Sequence, residues 1–327
     1  MKLATFENAL KEQRIAIVHG TDNRLFDLAA AAGRAGGANP AFNSMIALAD
    51  AGKRGLDAAA ELFASRSGEE DLSHALADVK LLAPLPEPRQ MRDGMSFEEH
   101  IRKSGRGMRK LFAKDAAAVA AIEAEPVAPL AEVYRRLPIY YITNRMIVRG
   151  PGATVTWPRY SKVMDYELEF GIVTMNSSAN IKAANAGDHI LGYTIFNDFS
   201  ARDQQGREMP GHLGPAKGKS FDGGNVLGPW IVTPDEIGDP YSLKMEARVN
   251  GETWSSNVSK GMLFSFEEML AHMSQDETVF AGEFIGSGTV GGGCGLEHGR
   301  YLSDGDTIEL EVEKIGVLEN KVVRQKA

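Results

Sequence analysis

The stretch Asp165-Tyr166-Glu167-Leu168-Glu169-Phe170-Gly171-Ile172-Val173 most constrains what this chain can fold into. Tyr166, Leu168, Phe170 and Ile172 alternate with Glu167, Glu169, Gly171 and Val173, which is the period of a β-strand. A strand with that pattern sets both glutamates on one face, two residues apart. On an exposed strand such a pair is simply solvated. On a buried one the two carboxylates repel, and each is costly to hold without a partner. A divalent cation satisfies both, and clustered carboxylate oxygens suit Mg²⁺ or Mn²⁺, with Ca²⁺ as a third option.

Composition narrows the classes. The net charge is −8 over 327 residues, with no long basic run, which argues against a nucleic acid or an anionic membrane surface as partner. Cys294 is the one cysteine, so no disulfide framework exists, and a reducing, cytoplasmic setting is expected. An acid at Glu7 arrives before any hydrophobic run, so no secretory signal is expected.

In chain order, Ile15–Val18 and Leu25–Leu28 read as a hairpin around Gly20–Asn23. Residues 41–65 read as helix in two pieces broken near Gly52. Val79–Leu85 reads as a strand, and Pro84, Pro86 and Pro88 then form a stiff connector, which puts a domain boundary near 88. The expected domains are 1–88, small and N-terminal, and 89–327. Ser96 and Glu99 have capping-box spacing, which predicts a helix from Phe97 with His100 in its first turn and Gly105 and Gly107 interrupting it as hinges. His100 beside Phe97 and Ile101 reads either as a packed core histidine or as a catalytic one. A second helix is predicted over Ala116–Glu125 with Asp115 as N-cap, and a buried strand over Leu137–Ile142.

The strand Ile190–Phe196 runs into Asn197-Asp198-Phe199-Ser200-Ala201-Arg202-Asp203-Gln204-Gln205. Acids, a guanidinium and amides at a strand end suit an active-site loop, although Asp198 in an ordinary turn is the plainer reading. Lys217-Gly218-Lys219-Ser220 lacks the spacing of a phosphate-cradling loop. Strands at Leu227–Val232 and Leu243–Val249, a capping box at Ser265–Glu268 and the glycine-rich run Gly286–Glu297 follow. The glycines of that run either bring backbone amides close to a ligand or make a loose surface loop. Many short strands and one strong helix after residue 137 argue for a mixed, folded-over β structure rather than a doubly wound sheet.

Taken together, Asp165–Glu169, Asn197–Asp203, Gly218-Lys219-Ser220-Phe221, Leu227-Gly228-Pro229-Trp230, Gly286-Ser287-Gly288-Thr289 and Asp304-Gly305-Asp306 resemble the fumarylacetoacetate hydrolase family over about residues 79–323. The resemblance implies an α+β, mainly β fold, a mixed β-roll with a small N-terminal α/β domain, assembled as a homodimer. It implies a metal-dependent hydrolase that cleaves a C–C bond in a small anionic β-diketo or β-keto acid. A lyase of the same family, decarboxylase or dehydratase, and an inactive metal-binding protein are the alternatives. By the same resemblance Glu167, Glu169 and Asp198 hold the metal, and Asp93, seven residues before His100, joins them in fumarylacetoacetase-like members. Arg202, Gln205 and Lys219 face the substrate carboxylate and oxyanion, and His100 activates water. Lys103 stands where acylpyruvase-type members carry the histidine's glutamate, so Glu297 is the expected partner. Arg109, Tyr141 and Thr289 are expected substrate contacts, and Met209 replaces a family tyrosine, which leaves the substrate open.

Overall fold

A computed structural model describes residues 1–325. In chain order the elements begin with β1 (Lys2–Glu7), β2 (Gln13–His19), β3 (Arg24–Asp27), α1 (Leu28–Arg34), α2 (Met45–Arg66), β4 (Ser73–Ala75) and β5 (Lys80–Leu81). Next come β6 (Met91–Gly94), α3 (Glu98–Leu111), α4 (Ala116–Ala124), α5 (Val133–Arg136), β7 (Tyr140–Ile142), β8 (Thr154–Trp157), β9 (Met164–Asp165) and β10 (Leu168–Thr174). Then β11 (Ile190–Asp198), β12 (Ser200–Ala201), α6 (Arg202–Glu208), α7 (Ala216–Lys219), β13 (Asn225–Val232), α8 (Pro234–Ile237), β14 (Lys244–Val249) and β15 (Glu252–Val258) follow. The chain closes with α9 (Phe266–Met273), β16 (Phe284–Gly286), α10 (Gly295–His298), β17 (Thr307–Val312) and β18 (Gly316–Arg324).

The main sheet has eleven strands, ordered β4-β3-β2-β1-β13-β11-β10-β16-β6-β7, with β5 also pairing to β1. Strands from the first 88 residues thus continue the sheet that carries the predicted site, through the antiparallel β1–β13 pair. A second sheet, β15-β14-β17-β18-β8, and a two-stranded β12–β9 ribbon complete the mixed α+β, mainly β fold.

β10 explains the architecture. Every residue of it is buried, so the alternation in its sequence reads out two apolar layers rather than one wet face. Leu168, Phe170 and Ile172 join Phe266, Tyr193 and Val232 in one core, and Val173 joins Phe284, Phe196 and Leu48 in the other. Glu169 is held between these layers at 1% exposure, which excludes the solvated-face reading for it. Glu167 lies one residue before the strand, bridged to Cys294.

Several expectations hold. The hairpin is β2–β3, Gly52 breaks α2 with φ 57°, Asp115 caps α4, and Ser265 and Glu268 form a complete capping box on α9. Others are corrected. Ser96 does not cap α3, which starts at Glu98; its hydroxyl points inward to the Met269 sulfur at 3.6 Å, and Glu99 pairs with Lys103 instead. Gly105 and Gly107 do not interrupt α3, which runs unbroken to Leu111. A Cβ on Gly107 would meet the Leu296 carbonyl oxygen at 2.2 Å, so this glycine lets α3 lie against α10. The strand at 137–142 is short and on the sheet edge, with Leu137 46% and Ile142 60% exposed, rather than buried. Val79–Leu85 contributes only the two residues of β5. The glycine-rich run is a buried loop, not a loose one.

Candidate active site

Four neighbouring strands, β11, β10, β16 and β6, bring their chemistry to one place. Asp198 ends β11, Glu169 is on β10, and Asp93 is on β6. Gly286 of β16 sits between them; a Cβ there would fall 2.3 Å from Asp93 Oδ1 and 3.4 Å from Glu169 Oε2, so the acids can approach only past a bare backbone. Asp93, Glu169 and Asp198 each offer an oxygen within 4.8 Å of the others, and all three are buried.

Three buried carboxylates this close are not stable as anions. Burial, then the Asp198 charge, pushes Asp93 up to about 8. Burial and the Asp93 charge raise Glu169 well above the usual carboxylate range. Burial also raises Asp198, against the pull of Lys219. Glu169 Oε2 and Asp198 Oδ1 are buried with no hydrogen-bond partner. Acceptor-only oxygens left over in a dry, acidic pocket fit a hard divalent cation. Thr289 Oγ1 donates to Glu169 Oε1 at 2.9 Å, the Gly288 N–H to Asp93 Oδ1 at 3.3 Å, and Tyr141 Oη to Asp198 Oδ2 at 2.6 Å. Tyr141 and Thr289 thus orient the acids as well as lining the cleft.

Glu167 has a different setting. Burial opposes its ionisation, but Arg202 and Lys219 outweigh that and hold it far below the usual carboxylate range. Arg202 Nη2 is 2.8 Å from Glu167 Oε1, and Lys219 Nζ donates both to Glu167 Oε2 and, at 2.6 Å, to Asp198 Oδ2. Arg202 Nε also donates to Asp165 Oδ2 at 2.8 Å, and its Nη1 donates to Gln205 Oε1 at 3.0 Å. Asp165 accepts the backbone N–H of Gly295 at 2.8 Å and of Leu296 at 2.9 Å, so one buried carboxylate ties Arg202 to α10, the short helix that carries Glu297. Asp165 escaped sequence reasoning except as the first letter of the acidic run, because its partners lie 37 and about 130 residues away.

His100 and Glu297 meet as expected, Nδ1 to Oε1 at 2.8 Å. Glu297 Oε2 accepts the Gly292 N–H at 2.9 Å, which fixes the carboxylate. Burial opposes its ionisation, but the His100 contact outweighs it and keeps Glu297 below its ordinary range. A carboxylate on Nδ1 assigns the proton to that nitrogen and leaves Nε2 as the base. That Nε2 is 4.0 Å from Glu167 Oε1. Cys294, read from sequence only as a sign of compartment, packs here too, with Sγ 3.6 Å from Glu297 Oε1. Burial pushes its thiol well up, so it stays protonated.

These groups line or underlie a cleft of about 380 Å³ whose walls include His100, Glu167, Glu169, Arg202, Gln205, Lys219 and Thr289. Arg109 is not brought to it: it is exposed and pairs with Glu125 at 2.6 Å. A larger, more open cleft of about 750 Å³, beside Lys244, Glu246 and Glu311, holds none of the predicted residues. Among the described residues no helix is long and apolar enough to cross a membrane.

A mostly β fold with a buried acid cluster on adjacent strands, beside a His–Glu pair carried by two helices packed above them, is that of a family of enzymes. The family model described as fumarylacetoacetate (FAA) hydrolase C-terminal matches residues 91–323, and the chain belongs to that family. It is 32% identical over 253 residues to the oxaloacetate tautomerase YisK of Bacillus subtilis, spanning 76% of this chain and 75% of that one. Among solved structures, a fumarylacetoacetate hydrolase from Exiguobacterium antarcticum matches with a TM-score of 0.70 and 27% identity over 99% of this chain and 100% of that one. The maleylpyruvate hydrolase of Sphingobium sp. SYK-6, solved with manganese(II) and pyruvate, shares the fold with a TM-score of 0.72 at 21% identity over 100% of both chains.

Proposed function

We propose that this enzyme interconverts the keto and enol forms of a small 2-oxo acid bearing a second carbonyl at C4, with the His100–Glu297 pair as proton carrier. The observation that carries this reading is the 2.8 Å contact of His100 Nδ1 with a buried carboxylate, next to the acid cluster. With Nδ1–H held by Glu297, the free Nε2 takes a proton from C3 of the substrate, and Glu297 balances the imidazolium charge. Return of that proton to C3 gives the keto form; protonation on the C2 oxygen gives the enol. Asp93, Glu169 and Asp198, with Glu167 alongside, would hold a divalent cation, which when bound supplies charge stabilisation for the enolate. Lys219, buried between Glu167 and Asp198, is the cation of this chain placed to bind a substrate oxygen there. The buried floor keeps bulk water from the deprotonated carbon. A tautomerase at 32% identity over three quarters of the chain supports proton transfer as the whole reaction.

Hydrolytic C–C cleavage is the second reading. The same Nε2 can deprotonate a water that attacks C4, and the Exiguobacterium structure carries that activity in its name. Loss of enol absorbance, with and without the protein, is followed for oxaloacetate and for 2,4-dioxo acids in the presence of Mn²⁺ or Mg²⁺, and the products are then identified. Recovery of the intact 2-oxo acid supports the tautomerase; pyruvate plus a second acid supports the hydrolase. No acceleration of either process, in protein shown by calorimetry to bind Mn²⁺, sinks both.

A further inference from the structure

The cleft changes character along its length. Its floor is formed by Asp93, His100, Glu167, Glu169, Arg202 and Lys219, each 1–5% exposed. Toward the mouth, where Met95 is 36% and Met209 43% exposed, the walls are Met95, Met108, Ile139, Tyr140 and Met209, with the buried Leu296 deeper in. Ser104 and Tyr134 add two hydroxyls, and among the described residues no arginine or lysine lines this outer part. The cations that do line the cleft are engaged at its floor: Arg202 with Asp165 and Glu167, Lys219 with Glu167 and Asp198, His100 with Glu297. Arg92 lies against the Tyr140 ring, 5.9 Å from its centroid, but is held by Glu283 at 3.0 Å and Glu277 at 2.5 Å. Arg109, on the same helix as Met108, is bound to Glu125.

A second carboxylate placed in the outer half would lose water and gain no cation, which is costly. Alkyl or aryl surface placed there gains by burial against the methionines, whose flexible thioethers adapt to varied shapes. We infer that the acid taken by this site carries an apolar substituent beyond its second carbonyl, and that Met209, at the mouth, sets that preference. The inference rests on the enolate reading above, since that reading puts the oxo acid end at the charged floor.

The test uses matched 2,4-dioxo acids whose chains end either in methyl or in carboxylate, with the Mn²⁺-loaded protein. Turnover efficiency, kcat/KM, should rise roughly fourfold for each added methylene until the cleft is full. The carboxylate-ended partner of each pair should be about a hundredfold poorer. Met209→Arg should narrow or reverse that gap by tenfold or more, by placing a cation at the mouth. Equal or better use of the carboxylate-ended acids by the unmodified protein overturns the inference. Calorimetric binding of 3,3-difluoro analogues, which have no proton at C3 to lose, separates the two claims. An alkyl preference in binding with no turnover of any acid upholds the apolar tail and overturns the enolate chemistry. Turnover with no tail preference upholds the chemistry and overturns the tail.

Discussion

Two arginines in this molecule each gather carboxylates within 0.1 Å of the same distance, and they do different things. Arg248, on the second sheet, meets Glu246, Glu309 and Glu311, each at 2.7 Å, with all four side chains 21–47% exposed. Arg202 meets Asp165 and Glu167, each at 2.8 Å, with side chains 0–6% exposed. Contact distance alone does not distinguish them. Around Arg248 water screens every pair, and the cluster decorates a strand face. Around Arg202 nothing screens the charges, so the guanidinium is what permits Glu167 to be an anion inside the protein. The difference teaches that a charge network matters to the chemistry through the cost of taking it apart.

The largest expected effect follows directly. Arg202→Met strands Asp165 and Glu167 without their main cation, and unfolding by urea should show a loss of about 3–5 kcal/mol together with loss of activity. A loss below about 1 kcal/mol would remove the contrast with Arg248.

Next in size is the proton-carrying pair. His100→Ala and Glu297→Gln should each lower turnover by about 10²–10⁴-fold while leaving Mn²⁺ affinity, read by calorimetry, unchanged. The double variant should lose little beyond either single, because the two groups act as one unit. Losses that multiply would show that Glu297 serves something other than His100.

How much of this could be read beforehand depended on range. β10 and β11 were legible because period-two alternation is a local signal, and Glu169 and Asp198 were legible with them. The exact neighbours of each acid were not: Glu167 and Glu169 read as equivalent ligands, yet Glu167 is neutralised by Arg202 and Lys219, while Glu169 faces Asp93 and Asp198. That sorting is made by side chains 29–76 residues away in sequence, which no periodicity reports. Arg109 was misplaced for a geometric reason. It follows His100 by nine residues, two and a half helical turns, so in an unbroken α3 it must point away from the face that His100 occupies. The expectation for Arg109 came from the family resemblance alone, and Gly105 and Gly107 leave α3 uninterrupted, with Gly107 lying against Leu296 in an approach that is invisible locally. Ser96 was misread likewise, since capping-box spacing does not reveal that Phe97 is buried and the serine hydroxyl is turned inward with it.

A smaller effect concerns the acids that lack a counter-cation. Asp93 titrates near 8 in the fold and near 4 when unfolded. Below about pH 4 both states hold the proton, and stability is indifferent to it. Between about 4 and 8 the unfolded chain has released a proton that the fold retains, so the unfolded state binds fewer protons and stability falls as pH rises. Chelator-treated protein should therefore melt at progressively lower temperature from pH 5 to pH 8. Added Mn²⁺ should raise the melting temperature more at pH 8 than at pH 5, because the ion competes with the proton for the same oxygens. A melting temperature that climbs with pH in chelator would mean the three acids are neutralised by the protein itself, as Glu167 is.

The smallest effect is the control on the whole comparison. Arg248→Ala removes three 2.7 Å ion pairs at once, more than Arg202 makes, so counting contacts ranks it as the worse mutation. The exposure of its partners argues the opposite. Each glutamate regains water when the guanidinium goes, and pairs of this kind contribute about 1 kcal/mol or less. Urea unfolding should show a loss of that order in low salt, shrinking toward zero at 1 M salt, where the screening length drops to roughly 3 Å. Turnover should be unchanged, since β14 and β17 carry none of the site. Arg202→Met, by contrast, should cost the same in both salts, because ions cannot enter its surroundings. A salt-insensitive loss at Arg248 approaching that at Arg202 would mean that the outer network is structural in its own right, and that burial is not what separates the two.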